Sequence, residues 1–296
     1  MSFTEYFQKL SGLNDPVSYA IPVFIVLILA ELWIDWQEKL AWYHREEAWA
    51  SIAMGAGSVL INLFTKFAYF LLFNYIYEHW AFFQLGFEWW VWLICFFADD
   101  FSFYWHHRLS HQIRILWAAH SNHHSSQDYN LAVALRQSWT EGLYKFIFYA
   151  WMPFVGIPPV MIFTMISISL IYQFFLHTQA IKKLGWIELI FNTPSHHRVH
   201  HGVNVAYLDK NHAGILIIWD KIFGTFQEEQ EKAMYGLTKN IETHNPFGIA
   251  LAEYKQIWKD IRKAPQWQDK IKYLFKPPGW SHDGSSKTTR QIRSEA

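Results

Sequence analysis

The chain has 296 residues, of which 52% are hydrophobic, 19% aromatic and only 17% charged, whereas about 25% of residues are charged in typical soluble domains. This balance predicts an integral membrane protein. The mean hydropathy of −0.01 does not oppose that prediction, because hydropathy scales score Trp and Tyr as polar although both favour the membrane interface. The equal numbers of basic and acidic residues, 25 of each, give no support to a nucleic-acid partner, and the single cysteine excludes an internal disulfide.

Four apolar stretches follow one another in the first two thirds of the chain. The first three, residues 17–36, 48–77 and 87–105, are each long enough for a helix to cross the hydrocarbon core, which takes about 20 residues. The fourth, residues 146–176, carries no charge and is interrupted by Gly156-Ile-Pro-Pro159, which is a turn signal. It predicts a helical hairpin whose first arm is short for a full crossing. We therefore expect an all-α membrane protein with four to five membrane segments.

The distribution of charge predicts the orientation in the membrane. Lys39 and Arg45 follow the first stretch and Arg108 and Arg114 follow the third, whereas residues 78–88 contain no Lys or Arg. Cytoplasmic loops are enriched in Lys and Arg. The polar segments that follow the first and third stretches are therefore predicted to be cytoplasmic, in either a bacterial inner membrane or the endoplasmic reticulum.

The chain is predicted to form one domain with three parts. These are a membrane part at residues 17–178, a cytoplasmic cap at residues 179–280 and a flexible tail at residues 281–296. Lys66 is the one charge in the middle of a predicted span, so it must snorkel or face other helices. Residues 1–16 lack the basic and apolar pattern of a signal peptide.

Eight of the 16 histidines fall into three short boxes, each placed just after a long apolar segment. The boxes are His107-Arg-Leu-Ser-His111, His120-Ser-Asn-His123-His124 and His197-Arg-Val-His200-His201. Spacings of i, i+3 and i+4 put the imidazoles of each box on one face of a helix. Eight imidazoles are more than one metal ion with roughly four to six ligands can use. The boxes therefore predict two metal ions.

The ligand type narrows the choice of metal without deciding it. An all-imidazole site without cysteine suits Fe, Zn, Cu or Ni. A pair of redox metals beside a lipid phase indicates O2 activation, with a long-chain membrane lipid whose reacting carbon leaves the bilayer as substrate. His177, at the end of the hairpin and on the same side of the membrane, is a candidate ninth ligand.

A carboxylate near the first box has two interpretations. Asp100 precedes His107 by seven residues and His111 by eleven, which is one helical face if the third span continues through the box. The Asp100 carboxylate would then hold a ligand imidazole by its second nitrogen. Alternatively, Asp99 and Asp100 simply mark the polar end of the span, and both interpretations stay open. His212 is a candidate for a similar contact outside the ligand shell.

The remaining histidines are predicted to lie outside the metal site. His106 and His196 each adjoin a box but point about 100° away from it on a helix, so structural roles are favoured for both. Solvent or interface positions are predicted for His44, His79, His244 and His282.

The order of the boxes, H-x-x-x-H followed by two H-x-x-H-H motifs, resembles the fatty acid hydroxylase, or sterol desaturase, superfamily of integral-membrane di-iron enzymes. The nearer likeness is to its ether-lipid-cleaving branch and covers about residues 99–237. It rests on the strings WAAHSNHHSSQDYN at 117–130, ALRQS at 134–138, YQFFLHT at 172–178, NTPSHHRVHHG at 192–202, DKN at 209–211, IIWDKIFGT at 217–225 and YGL at 235–237.

This resemblance implies that one oxygen of O2 is inserted into a lipid C–H bond at two Fe ions, held by the eight box histidines together with His177. In the ether-cleaving branch the hydroxylated carbon adjoins the ether oxygen of an alkylglycerol lipid, and tetrahydrobiopterin supplies the electrons. Gln112 stands where the branch carries Glu, and His212 stands where it carries Tyr, so a ferredoxin- or cytochrome-type donor stays an alternative. The resemblance also makes Asn130, with Asp100 and His212, a candidate for contacts outside the ligand shell.

Three other functions stay open. The first is a sterol, carotenoid, sphingolipid or fatty acyl hydroxylase or desaturase of the same superfamily, because substrate selectivity depends on the cavity walls. The second is a metal transporter, which would place ionisable residues near the bilayer midplane, whereas these boxes lie at the ends of spans. The third is a zinc-stapled membrane scaffold, since imidazoles also bind zinc well. The sequence does not predict an oligomeric state.

Overall fold

The structure is a computed structural model that describes residues 15–295. Its α-helices are α1 Pro16–Glu38, α2 Arg45–Trp80, α3 Trp89–Gln112, α4 Arg114–His124, α5 Trp151–Val155, α6 Pro159–Phe174, α7 Pro194–His200, α8 Ile218–Ile222, α9 Pro246–Lys263, α10 Trp267–Phe275 and α11 Thr289–Glu295. Short 3-10 helices lie at Val133–Leu135, Glu141–Leu143, Lys145–Tyr149 and Gly185–Leu189.

Within residues 15–295 the only β-pairing is two isolated bridges, Phe191 with Leu216 and Gly202 with Tyr235, so the predicted all-α class is confirmed. Residues 1–14, which fall in the segment predicted to lack a signal peptide, lie outside the described residues. The same holds for Ala296, the end of the predicted tail.

The first two helices are long and apolar enough to cross a membrane. Asp15 caps α1 by accepting a hydrogen bond from the backbone N–H of Val17 at 3.1 Å, and the 36 residues of α2 extend over about 54 Å. Both helices present large apolar side chains outward, including Val23, Val26, Leu29, Leu60, Leu63 and Phe64. An exposed apolar belt of this length is suited to lipid rather than to water.

Of the two arrangements expected for Lys66, the structure shows the one in which Lys66 on α2 faces other helices. Its Nζ donates to Asp15 Oδ2 at 2.5 Å and to Ser167 Oγ on α6 at 3.1 Å. A lysine within a span is tolerated when a carboxylate and a hydroxyl share its charge. This contact therefore joins α2 to the beginning of α1 and to the middle of α6.

The main apolar core lies between α2, α3 and α6. Its fully buried members include Phe73 from α2, Val91 and Cys95 from α3, and Met161 and Ile162 from α6. The burial of Cys95 in this core fits a packing role. The core holds α3, which continues without a break from Trp89 through the first histidine box, against the helix that leads to His177.

The first arm of the predicted hairpin is not a membrane-crossing helix. It consists of the 3-10 helix Lys145–Tyr149 and the five-residue helix α5, and Gly156 ends it in the left-handed region at φ 106°. A side chain at Gly156 would clash with the carbonyl of Phe83, because an added Cβ would lie 2.1 Å from that oxygen. The second arm, α6, has 16 residues, roughly 24 Å, which is less than the hydrocarbon thickness of about 30 Å.

The segment after the third box contains two amphipathic helices. On α9 the exposed apolar residues are Phe247, Leu251 and Trp258, and on α10 they are Trp267, Ile271 and Phe275. Aromatic and aliphatic side chains at helical spacing beside lysines are typical of helices that lie in a membrane interface. The region predicted as a cap therefore also presents an apolar face.

Candidate metal centre

A sharp bend between α3 and α4 brings the first two boxes together. His107 and His111 lie near the C-terminal end of α3, and Ile113, the residue between the two helices, is extended at φ −115° and ψ 115°. The chain therefore changes direction before His120. As a result, His107 Nε2 lies 2.9 Å from His120 Nε2.

The other imidazoles come from the segment that follows α6. His177 lies just beyond the end of α6, where its Nδ1 is 2.8 Å from the carbonyl oxygen of Gln173. α7 begins with Pro194, which suits the first turn of a helix because that N–H has no intrahelical partner. This short helix carries the third box and places His197 Nε2 3.0 Å from His177 Nε2.

All nine predicted ligands come together in two adjoining groups of buried side chains. The first imidazole group consists of His107, His111, His120, His124 and His200, and the second imidazole group consists of His123, His177, His197 and His201. Within each group the candidate ligand atoms lie within 4.8 Å of one another. The stacked rings of His124 and His201, with centroids 4.3 Å apart, connect the two groups.

Helical spacing explains how the boxes divide. Residues four apart project on nearly the same side of a helix, whereas a residue three apart is offset by about 60°. The i, i+4 pairs accordingly stay together, with His120 and His124 in the first group and His197 and His201 in the second. The i+3 members, His123 and His200, each turn to the opposite group. The second and third boxes therefore each contribute to both groups.

The imidazoles meet through their Nε2 atoms, at separations of 2.9–3.2 Å for the pairs 107–120, 120–124, 124–200, 123–177, 177–197 and 197–201. Backbone carbonyls of His212, Arg136, Gln173 and Lys210 lie at hydrogen-bond distance from Nδ1 of His107, His123, His177 and His200, respectively. A neutral imidazole that donates through Nδ1 has only a lone pair at Nε2. Two such lone pairs, as in His123 and His177, cannot hydrogen-bond to each other, but both can bind one cation.

The spacing of these nitrogens suits a metal ion with ligands at right angles. For metal–nitrogen bonds of about 2.1 Å, two ligand atoms are about 3.0 Å apart at a right angle and about 3.4 Å apart at the tetrahedral angle. The observed 2.9–3.2 Å is closer to the right-angled arrangement. Five imidazoles in the first group also exceed the four ligands of a structural zinc site. The first group therefore fits a transition metal ion with five or more ligands, and the second group supplies four imidazoles at the same spacing to a second ion.

Burial keeps the candidate ligands in the form that binds metal. It lowers the pKa of His120 to about 3 and the pKa of His123 to about 4. It also holds the pKa values of His124 and His201 well below the ordinary range. Because a metal binds the neutral imidazole, the site presents its ligands without a need to remove protons at neutral pH.

One family matches the segment that contains this centre. The family described as "Fatty acid hydroxylase" matches residues 92–225, a range that includes all nine imidazoles. These residues form a fatty acid hydroxylase domain. Within it, α3 and α4 supply the first two boxes, the end of α6 supplies His177, and α7 supplies the third box.

Several relatives resemble the chain beyond the hydroxylase domain. Human alkylglycerol monooxygenase is 44% identical over 276 residues, which cover 93% of this chain and 62% of the human protein. The zebrafish alkylglycerol monooxygenase is 40% identical over 267 residues, with 90% and 60% covered. Ornithine lipid hydroxylase OlsE of Rhizobium tropici is 30% identical over 128 residues, with 43% and 39% covered. These matches confirm the predicted superfamily.

The chain spans only part of these relatives. It covers between 57% and 62% of the length of the alkylglycerol monooxygenases that it matches. No solved structure matches the chain.

Asp100 of the hydroxylase domain does not hold a ligand imidazole. Its Oδ1 accepts a hydrogen bond from the backbone N–H of Ile215 at 2.7 Å, and its Oδ2 accepts from Leu216 N at 3.0 Å and from the indole of Trp219 at 2.9 Å. The interpretation as an imidazole partner was therefore wrong. The carboxylate instead fixes the loop that contains His212, whose carbonyl lies 2.8 Å from His107 Nδ1.

Replacing Asp100 by Asn should lower the free energy of unfolding by about 1–3 kcal/mol, because an amide NH2 then faces donors that the carboxylate accepted. The change keeps the size of the side chain but removes its charge and replaces one acceptor oxygen by an NH2 donor. Thermal unfolding of detergent-purified protein measures the effect, with Asp283→Asn in an exposed turn as the matched control. Equal midpoints for the two variants would contradict the assigned role.

Asn130 and His212 are the other two candidates for contacts outside the ligand shell, and only His212 lies beside the imidazole groups. Asn130 is bonded to the carbonyl of Trp42 at 2.6 Å and to the N–H of Ala132 at 3.1 Å, so it stabilises a chain turn and does not hydrogen-bond to a ligand imidazole. His212 is fully buried, with its ring centroid 5.0 Å from that of His111. Neither ring nitrogen of His212 has a hydrogen-bond partner among residues 15–295. His212 therefore borders the first imidazole group.

The discounted histidines lie outside both groups. His106 is buried against Tyr144 and Phe148, and His196 packs edge-on against Phe226. The isolated histidines form hydrogen bonds away from the two groups. For instance, His44 is hydrogen-bonded to Asp128 and His282 to Tyr273. None of these side chains belongs to either imidazole group.

Sequence reasoning missed Glu141. Its Oε2 lies 3.8 Å from His120 Nδ1, and its Oε1 lies 3.8 Å from His106 Nε2 and 3.5 Å from Lys145 Nζ. Burial raises the pKa of the Glu141 carboxyl, but Lys145 and His120 outweigh that effect and hold the pKa well below its usual range. The sequence did contain a signal for this carboxylate. Glu141 stands shortly before the uncharged stretch at residues 146–176, in a position to lie beside the first imidazole group.

Proposed function

We propose that the protein is a membrane di-iron monooxygenase that uses O2 to hydroxylate a C–H bond of a lipid. The observation that carries this proposal is the convergence of nine buried imidazoles, through facing Nε2 atoms, into two adjoining groups. Bound iron would supply the activation of O2. The chain's own residues hold the ligand rings by backbone carbonyls, keep them neutral and exclude bulk water.

Iron is favoured over zinc by the donor set. Imidazole binds both metals, but a structural zinc site has four ligands in a tetrahedron, whereas the first group offers five imidazoles at nearly right-angled spacing. A pair of redox-active ions also matches the di-iron class to which the hydroxylase family belongs. Zinc bound in a purified sample would then be a substitute for the native metal.

The proposed substrate is an ether lipid of the alkylglycerol type. Support comes from the alkylglycerol monooxygenases, which are 35–44% identical over at least 90% of this chain. Hydroxylation combines the lipid C–H, O2, two electrons and two protons into an alcohol and water. At the carbon beside the ether oxygen the product is a hemiacetal, which breaks into an aldehyde and a glycerol derivative. The electron donor would be tetrahydrobiopterin, or a protein of the ferredoxin or cytochrome type.

We also propose that the protein has four to five membrane segments and that the imidazole groups face the cytoplasm, in a bacterial inner membrane or the endoplasmic reticulum. The two apolar helices α1 and α2 and the apolar N-terminal half of α3 support membrane insertion. Lys39 follows α1 and Arg45 begins α2, whereas residues 78–88, which run from the end of α2 to the start of α3, have no Lys or Arg. This asymmetry supports a cytoplasmic side for the metal centre.

Metal analysis and product analysis of the same preparation test the proposal. Protein expressed with added iron should contain about two coupled irons per chain by metal content and Mössbauer spectroscopy. With 18O2 and tetrahydrobiopterin or ferredoxin, a 1-O-alkylglycerol should yield a long-chain aldehyde, whereas the matched monoacylglycerol ester should not. Zinc that iron cannot replace would contradict the proposal and favour the zinc-stapled scaffold.

A second candidate substrate is an ornithine lipid, because ornithine lipid hydroxylase OlsE resembles the hydroxylase domain. The same preparation can be offered this lipid, a fatty acid and a sterol in parallel. If the protein hydroxylates ornithine lipid and does not cleave the alkylglycerol, its substrate is an ornithine lipid and not an ether lipid.

A further inference from the structure

An open cleft with several charged residues in its walls lies beside the second imidazole group. Its volume is about 380 Å³, and its walls include Gln179, Lys182, Arg198, Glu229, Lys232 and Tyr235. This volume lies in the range of about 300–1,000 Å³ that is typical of small-molecule sites. The cleft is therefore suited to a small molecule rather than to a folded protein.

The wall of the cleft is connected to the helix that carries the third histidine box. Arg198 lies between His197 and His200 on α7, and Tyr235 pairs with Gly202 directly after the third box. The guanidinium of Arg198 donates to both carboxylate oxygens of Glu229 at 2.7 Å. This bidentate ion pair fixes the cleft wall relative to α7.

Two tyrosine rings connect the cleft to the second imidazole group. The rings of Tyr235 and Tyr129 are stacked, with centroids 4.7 Å apart and an angle of 11° between their planes. Tyr129 in turn lies 5.8 Å from the ring of His177 and 5.2 Å from the ring of His201. Tyr235 lines the cleft and Tyr129 is buried, so the rings form a continuous path inward.

Hydrogen bonds hold the inner ring of this path in place. The hydroxyl of Tyr129 donates to the carbonyl of Leu176, next to His177, at 3.0 Å. Gln179, which lines the cleft, donates to the carbonyl of Tyr129 at 2.8 Å. A ring held at both its hydroxyl and its backbone keeps its distance to the imidazoles constant.

The charges around the cleft indicate what it binds. Arg198 is neutralised by Glu229 and Lys183 by Glu228, whereas Lys182 and Lys232 have no carboxylate within ion-pair distance among residues 15–295. The lining also contains the carboxylate of Glu231, so the two unpaired lysines leave the rim with a small excess of positive charge, which attracts an anionic or electron-rich group. The ring of Tyr235 adds an aromatic surface on which a planar molecule can stack.

We propose that this cleft binds a reduced planar heterocycle and that Tyr235 and Tyr129 conduct its electrons to the second imidazole group. The proposal rests on the proposed monooxygenase function, which consumes two electrons per hydroxylation. All nine candidate ligands are buried, so a molecule in the cleft must pass its electrons through protein. The docked heterocycle loses two electrons in two steps and releases two protons to the open cleft, the metal pair is reduced by the same two electrons, and the tyrosine rings carry the electrons without being oxidised themselves.

Anaerobic reduction of the oxidised, iron-loaded protein, without lipid, tests this route separately from turnover. Stopped-flow absorbance would follow reduction of the metals by tetrahydrobiopterin and, in parallel, by a reduced flavin. Replacing Tyr129 or Tyr235 by Leu should slow reduction by one of these heterocycles about tenfold or more. Reduction by dithionite, which is small enough to need no docking site, should be equally fast in all variants. Tyr129→Phe keeps the ring contacts and should retain most of the rate.

Several results would overturn the proposal. One is an unchanged rate in both Leu variants, and another is a Tyr129→Phe rate as slow as that of Tyr129→Leu. A third is slowing by Trp117→Leu alone, since the Trp117 ring, 5.0 Å from His111, offers a rival route to the first group. If ferredoxin reduces the wild-type protein and neither heterocycle does, the cleft is not the site of the electron donor, and the proposed monooxygenase function is unaffected. Failure to bind iron at all would remove both.

Discussion

Replacing His200 by Ala should remove the metal ion of the first imidazole group and reduce turnover by about 100-fold or more, since even residues that support metal ligands from outside account for 10–100-fold in activity. The iron content should fall from about two ions to about one per chain. His177→Ala should do the same at the second group. The reason is the division of the imidazoles, with His200 among the five of the first group and His177 among the four of the second.

Metal content and turnover should be measured on the same preparations, with His282→Ala as the matched control. His282 is distant in sequence from the boxes and bonds to Tyr273, so its loss should leave both iron ions and the activity unchanged. Retention of two iron ions and full turnover in His200→Ala would contradict the ligand assignment. A loss of activity in His282→Ala would show that the histidines that matter have been misidentified.

Replacing Arg136 by Leu should destabilise the protein by about 3–5 kcal/mol, because it leaves a buried carboxylate without its partner. Arg136 is 1% exposed, and its guanidinium donates to Glu47 Oε2 at 2.8 Å, to Ser125 Oγ at 3.0 Å and to the carbonyl of Asn122 at 3.2 Å. It thus joins α2 to the end of α4, beside His123. Thermal or denaturant unfolding in detergent measures the loss.

A double mutant separates the ion pair from the packing of the side chain. Glu47→Gln combined with Arg136→Leu removes the unpaired charge and should recover part of the lost stability. Arg262→Leu, at an exposed position of α9, is the matched control and should change stability by less than about 0.5 kcal/mol. If Arg136→Leu is no more destabilising than this control, the ion pair does not hold α2 against α4.

The convergence of the nine imidazoles could be predicted from the sequence, because residue type and helical spacing specify which side chains share one face of a helix. The box at residues 107–111 has the i, i+4 spacing, and the boxes at 120–124 and 197–201 have the i, i+3 and i+4 spacings. His177 was recognisable from its position at the end of the last apolar stretch. The all-helical class followed similarly from the long apolar stretches.

Interactions between distant segments could not be predicted in the same way. Asp100 has a position on α3 that suits an imidazole partner, yet its carboxylate bonds to the N–H groups of Ile215 and Leu216. Backbone donors of a loop more than 100 residues away leave no signal in local spacing. A contact between distant segments also holds the first arm of the hairpin. The backbone N–H of Phe82 donates a hydrogen bond to the carbonyl of Phe154 in that arm, at 2.7 Å.

The sequence by itself determined the identity of the nine imidazoles, the family and the membrane character, because each depends on residue type and local periodicity. Only the tertiary structure decided that the second and third boxes each divide between two groups, which carbonyls hold Nδ1 of the ligand rings, and that Tyr129 and Tyr235 stack beside the second group. These features depend on the angles at which α3, α4, α6 and α7 meet. Such angles are set by the packing of the whole core rather than by the residues of any one motif.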